Sequence, residues 1–268
     1  MSMLIARPSR RFIAAVLLGL GLLPGASLAA DKPLRIGVSA GPYGDILRET
    51  AKLAAREGLQ AEIIEFTEWT QINEALQLGD IDANNFQHEP YLNNQKKQRG
   101  YDIVPLASSI VVPLGIYSSK VTSLAELPTG ARVGIPNDPT NGARALFLLQ
   151  QANVLTLRAG ADIAATIADV ADNPKQLKLV ELDAAQLPRS LDDLAASVIT
   201  LNYAVLAGLD PKTALFLEGA ESRWTLIWAV RADRKDDPRI NRFVALYRSP
   251  DIKAFILDRF GGSILPTW

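Results

Sequence analysis

The only histidine in the 268-residue sequence, His88, lies in Asp82-Ala-Asn-Asn-Phe-Gln-His-Glu-Pro-Tyr-Leu92, between Phe86 and Tyr91. Its imidazole could ligate a metal, act as a base, or serve as a hydrogen-bonding wall. A zinc site needs three or four histidine, cysteine or carboxylate ligands, and one histidine with no cysteine does not supply that set. In a serine-histidine-acid arrangement the ring must hold a serine on one side and an acid on the other. A lone histidine between two aromatic residues reads better as a wall, so neither a metal site nor a catalytic residue is expected. Aromatic and polar groups crowded between helical patterns suit ligand binding. The alternative is a loop that packs its own aromatics as a local core.

A second constellation is Asn137-Asp-Pro-Thr-Asn-Gly-Ala-Arg144, at a strand-to-helix junction. Thr140 or Asn141 could cap the helix, whose first amides carry partial positive charge. Arg144 follows one turn in, and a guanidinium can grip a carboxylate with two hydrogen bonds. Ordinary capping and a surface ion pair would use the same residues. Trp69, in Glu68-Trp-Thr-Gln71, offers either a pocket face or a core side chain. In Glu181-Leu-Asp-Ala-Ala-Gln-Leu-Pro-Arg-Ser-Leu-Asp-Asp193 the arginine and its flanking acids suit a charge network that fixes geometry. No Gly-x-x-x-x-Gly-Lys-Ser/Thr loop is present to hold a nucleotide phosphate.

These stretches need a scaffold. Strands are predicted at Leu34–Val38, Ala61–Phe66, Asp102–Leu106, Ile110–Tyr117, Ala131–Ile135, Leu177–Leu182, Ala195–Thr200 and Thr225–Val230. Helices are predicted from Tyr43 to Glu57, Gln71 to Leu78, past Arg144 to about Ala152, and over Pro238–Arg248 and Pro250–Phe260. Strands alternating with helices at this spacing imply βαβ units. The apolar strands near Pro113–Tyr117 and Leu226–Val230 could be where the chain leaves one half and returns. The expected fold class is therefore α/β, in two lobes with a ligand cleft between them. The expected boundaries are a leader over 1–29, a first lobe from 30–113 plus 229–268, and a second over 114–228.

Composition narrows the function. Arg7, Arg10 and Arg11 precede an apolar run from Phe12 to Leu23, and Ser27-Leu-Ala29 provides small residues for cleavage after Ala29. With the three leader arginines set aside, the 28 basic groups fall to 25 against 29 acidic ones. That balance gives no reason to expect nucleic acid as a partner. The apolar run is short for a bilayer span. The absence of cysteine leaves no residue to carry a lipid anchor, so the expectation is a soluble, periplasmic protein exported through a cleavable leader.

Taken together, Asp82–Leu92, Pro113-Leu-Gly-Ile-Tyr117, Ile135-Pro-Asn-Asp-Pro-Thr-Asn141 with Arg144, and Glu181–Asp193 resemble the methionine-binding (MetQ/NlpA) family of ABC-importer substrate-binding proteins. The resemblance runs from about Leu34 to Trp268. It implies a type II-like periplasmic-binding-protein fold, with two mixed sheets flanked by helices, acting as a monomer that closes on methionine in L or D form. It also implies handing that ligand to a membrane permease driven by an ATPase, with no cofactor. Phe86, His88 and Tyr91 match the wall around the thioether, and Asn141 and Arg144 match groups that hold the polar end. Trp69 stands where the family has Tyr. Thr200, with Asn202 two residues on, and Leu226 fall where the family places ligand-binding Asn residues. An amide lost from either place leaves a ligand group short of a partner, so a ligand other than methionine, or an interaction module without transport, is the alternative reading.

Overall fold

The protein is described by a computed structural model covering residues 32–219 and 224–268; the expected leader lies outside the described residues. In chain order the elements are β1 (Leu34–Ser39), α1 (Pro42–Arg56), β2 (Ala61–Phe66), α2 (Ile72–Leu78), β3 (Ala83–His88), α3 (Glu89–Arg99), β4 (Ile103–Ser108) and β5 (Ile110–Val111). They continue with β6 (Leu114–Tyr117), β7 (Arg132–Pro136), α4 (Pro139–Gln151), β8 (Thr156–Leu157), β9 (Val170–Asp172), β10 (Lys178–Leu182), β11 (Ala196–Thr200) and α5 (Leu201–Leu206). The last are β12 (Phe216–Leu217), β13 (Leu226–Arg231), α6 (Pro238–Tyr247), α7 (Pro250–Phe260) and β14 (Leu265–Pro266).

Ten strands make two five-stranded sheets with the same logic. The first runs β2-β1-β3-β13-β4 and the second β10-β7-β11-β6-β12. In each, three strands are parallel and come from consecutive βα units, and the fourth, β13 or β6, is antiparallel to both neighbours. These antiparallel strands are the first strands placed after the chain passes from one sheet to the other. The passage out lies between Ser108 and Leu114, and the return lies between Leu217 and Leu226. Mixed sheets flanked by helices, in two lobes joined by two crossings, are the expected α/β fold. One boundary differs: Leu226, Ile227 and Trp228 pair with β3 and β4 of the first sheet, not with the second lobe, because β13 is hydrogen-bonded from its first residue.

The stretch from Ala83 to Leu92, read from sequence as a connecting segment, is a strand and a helix. All six residues of β3, Ala-Asn-Asn-Phe-Gln-His, are buried. Asparagine is a poor strand former, and buried amides are nearly always paired. Asn84 and Gln87 are paired within a set of amides that includes Asn73, whereas Asn85 Oδ1 accepts from Ser109 Oγ at 3.1 Å and its Nδ2 has no partner among the described residues. Asn73 Nδ2 donates to Gln87 Oε1 at 2.7 Å and Asn84 Nδ2 donates to Asn73 Oδ1 at 3.0 Å. Gln87 Nε2 donates to Asn73 Oδ1 at 2.7 Å and to Asn84 Oδ1 at 3.1 Å. The register against β13 pairs Trp228 with Asn85 but Ile227 with Gln87, which leaves Phe86 as the extra residue of a bulge. A bulge breaks the alternation of side chains and re-aims them, and it brings Phe86, Gln87 and His88 to one cavity.

Capping explains where α3 and α4 begin. His88 Nδ1 accepts from Tyr91 N–H at 3.1 Å at the head of α3. Asp138, rather than Thr140 or Asn141, caps α4, accepting from Asn141 N–H at 2.9 Å with Pro139 at the first helical position, where proline's fixed φ is favourable. Among the described residues no ion pair joins Arg189 to the acids around it. The charge network expected there is replaced by hydroxyl contacts from Ser190 to Leu187 O and Ser197 Oγ.

Each sheet is covered on both faces. In the first lobe β1, α1, α6 and α7 enclose Leu34, Ile36, Leu47, Trp228, Phe243 and Tyr247, and the other face packs Ile72, Leu76, Leu92 and Ile103. The second lobe packs Leu114, Ile116, Val133, Ile135, Leu146 and Val198 on one face, with Leu187, Leu191, Ile199 and Tyr203 on the other. Trp228 is fully buried, edge-on to Phe243 at 5.9 Å and to Tyr247 at 5.1 Å between ring centroids. Trp228→Ala is expected to cost about 3–5 kcal/mol in urea unfolding; a loss below ~1 kcal/mol would mean that the lobe repacks around the gap.

Candidate functional site

The cleft between the lobes holds a small cavity of about 30 Å³. All nine residues singled out from sequence line it: Trp69, Phe86, His88, Tyr91, Asn141, Arg144, Thr200, Asn202 and Leu226. Ser39, Tyr43, Gln87 and Val112 complete the lining. The first lobe contributes the ends of β1 and β3, and the second contributes the head of α4 and the junction of β11 with α5. Ligands of open α/β sheets lie beyond the carboxyl ends of strands, and Ser39, His88 and Thr200 each end one.

The aromatic side is built by mutual edge contacts. Tyr91 meets Trp69, Phe86 and His88 at 6.3, 6.0 and 6.3 Å between centroids. Trp69 also lies 5.2 Å from Tyr203 of the second lobe, whose hydroxyl donates to Thr67 O at 3.0 Å. Trp69 is therefore a face of the cavity and a bridge between lobes together. Trp224, which sequence reasoning missed, stands 4.9 Å from the His88 ring and 5.8 Å from the Arg144 guanidinium carbon.

His88 has a defined tautomer. Its Nδ1 accepts from Tyr91 N–H, so the neutral ring carries its proton on Nε2, which donates to Asn141 Oδ1 at 3.2 Å. Asn141 is oriented in turn by Asp138, whose two carboxylate oxygens each accept from Asn141 Nδ2 at 3.1 Å. Burial raises the Asp138 carboxyl above its usual range, against the hydrogen bonds from Asn141 and Thr140. Burial, and secondarily the charge of Arg144, lower the His88 pKa to about 3. Both ring nitrogens are occupied and the ring is neutral, so the geometry is that of a wall.

Arg144, at 2% exposure, is paired inside the protein. Its Nε donates to Glu218 Oε1 at 3.2 Å, and its Nη2 donates to Glu218 Oε2 and, at 2.7 Å, to Val112 O. Val112 lies in the outward crossing and Glu218 in the returning one, so one guanidinium ties both connections to α4. Glu218 is 74 residues from Arg144 in sequence, and no spacing rule could have linked them.

Ser39 had a legible signal. Gly37-Val-Ser-Ala-Gly41 has the Gly-x-Ser-x-Gly spacing of a nucleophile elbow between a strand and a helix. The glycines have other reasons here: a Cβ on Gly37 would lie 2.3 Å from Ile81 Cδ1, and Gly41 has φ +112°. Ser39 Oγ has no hydrogen-bond partner among the described residues, and His88 is bonded elsewhere. No serine–histidine couple is formed.

Two α/β lobes closing on one buried, aromatic-walled cavity define a substrate-binding protein for a small molecule. The chain belongs to the NlpA lipoprotein family, whose model matches residues 34–268. The D-methionine-binding lipoprotein MetQ of Escherichia coli (strain K12) is 41% identical over 239 residues, covering 88% of this chain and 88% of that protein. A nutrient-binding protein from Burkholderia cenocepacia, solved bound to methionine, is 46% identical with a TM-score of 0.84, covering 88% of this chain and 100% of that one. A periplasmic substrate-binding protein of an ABC transporter from Coxiella burnetii is 44% identical with a TM-score of 0.83, covering 87% of this chain and 100% of that one. These relatives are binding proteins. The names of the family and of the Escherichia coli relative correct one expectation: they are lipoproteins, a class held to a membrane by lipid. The reading of a freely soluble periplasmic protein without an anchor rested on cysteine content alone and does not stand against them.

The neutral His88 makes stability depend on pH. Between its ordinary value of 6.5 and about 3 the unfolded chain binds a proton that the folded protein does not, so stability falls as pH falls through that window. His88→Gln should remove roughly 2 kcal/mol of the loss between about pH 7.5 and about pH 4.5, measured as unfolding free energies in urea. Identical losses in the two proteins would show that the folded ring takes up the proton.

Proposed function

We propose that the protein binds methionine, as the L or D isomer, in the interlobe cavity and delivers it to an ABC permease driven by its ATPase. The observation that carries this reading is the aromatic wall of Trp69, Phe86, Tyr91 and His88 beside a buried arginine. A thioether against aromatic edges gains roughly 0.3–1.5 kcal/mol per contact, and an uncharged His88 keeps that end of the cavity free of charge. The relative bound to methionine supports the same ligand class. In this reading Asn141, Arg144, Thr200 and Asn202 serve the polar end and Leu226 closes the cavity beside His88, its partner across β3 and β13. The lobes comprise about 30–113 with the chain from β13 onward, and 114 to the start of β13. The protein acts as a monomer, transforms nothing, and takes neither cofactor nor nucleic acid.

Titration calorimetry with L- and D-methionine tests the ligand, and mass spectrometry of small molecules released on denaturation tests it without presupposing one. Methionine is expected to release heat and to raise the melting temperature; no heat and a flat melting curve would point to another ligand. Arg144→Ala, confirmed as folded by circular dichroism, should bind at least about tenfold more weakly. Unchanged affinity would remove Arg144 from the site.

A further inference from the structure

Apart from the two crossings and the cavity itself, the lobes also meet at the turn Thr67-Glu-Trp69, which follows β2 in the first lobe, and at Tyr203, in α5 of the second. The Tyr203 hydroxyl donates to Thr67 O at 3.0 Å, and its ring centroid lies 5.2 Å from that of Trp69 at an interplanar angle of 53°. Trp69 packs against a buried cluster of each lobe: Ile72, Phe86 and Tyr91 in the first, and Leu187, Ile199 and Tyr203 in the second. Trp69 lines the cavity, whereas Tyr203, buried on the far side of that indole, is not among the lining residues. Burial, and next the charge of Glu68, push the Tyr203 phenol above its usual range, so the hydroxyl keeps its proton and remains a donor.

Resting on the amino-acid-binding reading above, we propose that Tyr203 is a positioning residue that latches the closed cleft, tightening binding and slowing release without touching the ligand. A hydrogen bond of this length is lost once its partners separate by roughly another ångström, so the contact to Thr67 exists only while the lobes are together. A ligand enters when they are apart and is held when they are closed. An interaction made only in the closed arrangement therefore adds to retention and not to entry. The latch is external to the cavity: it holds the turn that carries Trp69, and through Trp69 the wall that the ligand meets. Its contribution is accordingly the same for every ligand that lets the cleft close. In the separated arrangement the exposed Thr67 carbonyl is free to bond to water, which keeps the net gain of the contact modest.

The test is Tyr203→Phe, which keeps the ring against Trp69 and removes only the hydroxyl. Association and dissociation rates are measured by stopped-flow fluorescence with L-methionine and with L-norleucine, in which a methylene replaces the sulfur. The variant should bind both ligands roughly three- to tenfold more weakly, by the same factor. The whole loss should appear as faster dissociation, with association unchanged and the unliganded melting temperature level. A tyrosine kept only to stabilise its own lobe would lower that melting temperature and leave dissociation alone. Unchanged dissociation, a loss carried by association, unequal factors for the two ligands, or a lowered unliganded melting temperature overturns the latch and leaves methionine binding standing. If the wild type binds neither methionine nor any other free amino acid in a thermal-shift panel, the functional reading falls and the latch with it. If another amino acid binds, the same rate comparison with that ligand decides in the same terms.

Discussion

A buried ion pair ties together the two connections between the lobes. Arg144 and Glu218 meet where the two interlobe connections pass each other, and the same guanidinium donates to Val112 O in the outward connection. Glu218 Oε2 also accepts from Leu114 N–H at 3.3 Å. A buried pair gains little net stability over apolar residues, but removing one partner strands a charge in a medium that cannot solvate it. The pair therefore acts as a register device. α4 and both connections share one set of contacts, so the head of α4, where Asp138 and Asn141 sit, cannot move far without disturbing the crossings. What the cavity contains and how the lobes are joined meet in one side chain.

The cavity wall depends on a strand that no propensity scale would place in a core. β3 is rich in amides, and it is stable there because Asn73, Asn84 and Gln87 satisfy one another and because a bulge at Phe86 lets three successive residues face the cleft. A half-satisfied network of this kind would cost more than an apolar strand. With these three amides paired, the strand is rigid, and the aromatic rings that follow it are held in fixed edge-to-face contacts rather than left to find their own. His88 adds the last constraint, joining β3 to the head of α4 through Asn141.

Much of this was legible before the structure. Alternating apolar residues marked β1 and β2, and the long helices were evident from their apolar period. The residues that line the cavity stand out in the sequence because aromatic and amide groups are dense around His88 and because an arginine follows a capping sequence. The misses have physical causes. β3 was read as a connection because its stability comes from partners 3 to 14 residues away, not from its own residue types. The cap of α4 was assigned late by two or three residues, although Asp138-Pro139 carries the Asp-then-Pro pattern of a helix start. The pairing of Arg144 with Glu218 spans 74 residues and leaves no trace in local spacing.

The neutrality of His88 has a further consequence for energetics. The ring nearest the expected ligand is already uncharged near neutral pH, both of its nitrogens are spoken for, and the adjacent arginine carries its counter-ion within the fold. Filling the cavity then requires no proton to be captured or shed by these groups. The heat of association should be the same in buffers of very different ionisation enthalpy, and the grip on the ligand should be indifferent to acidification until the fold itself begins to give way. The protein's response to acid is thus lodged in folding rather than in occupancy.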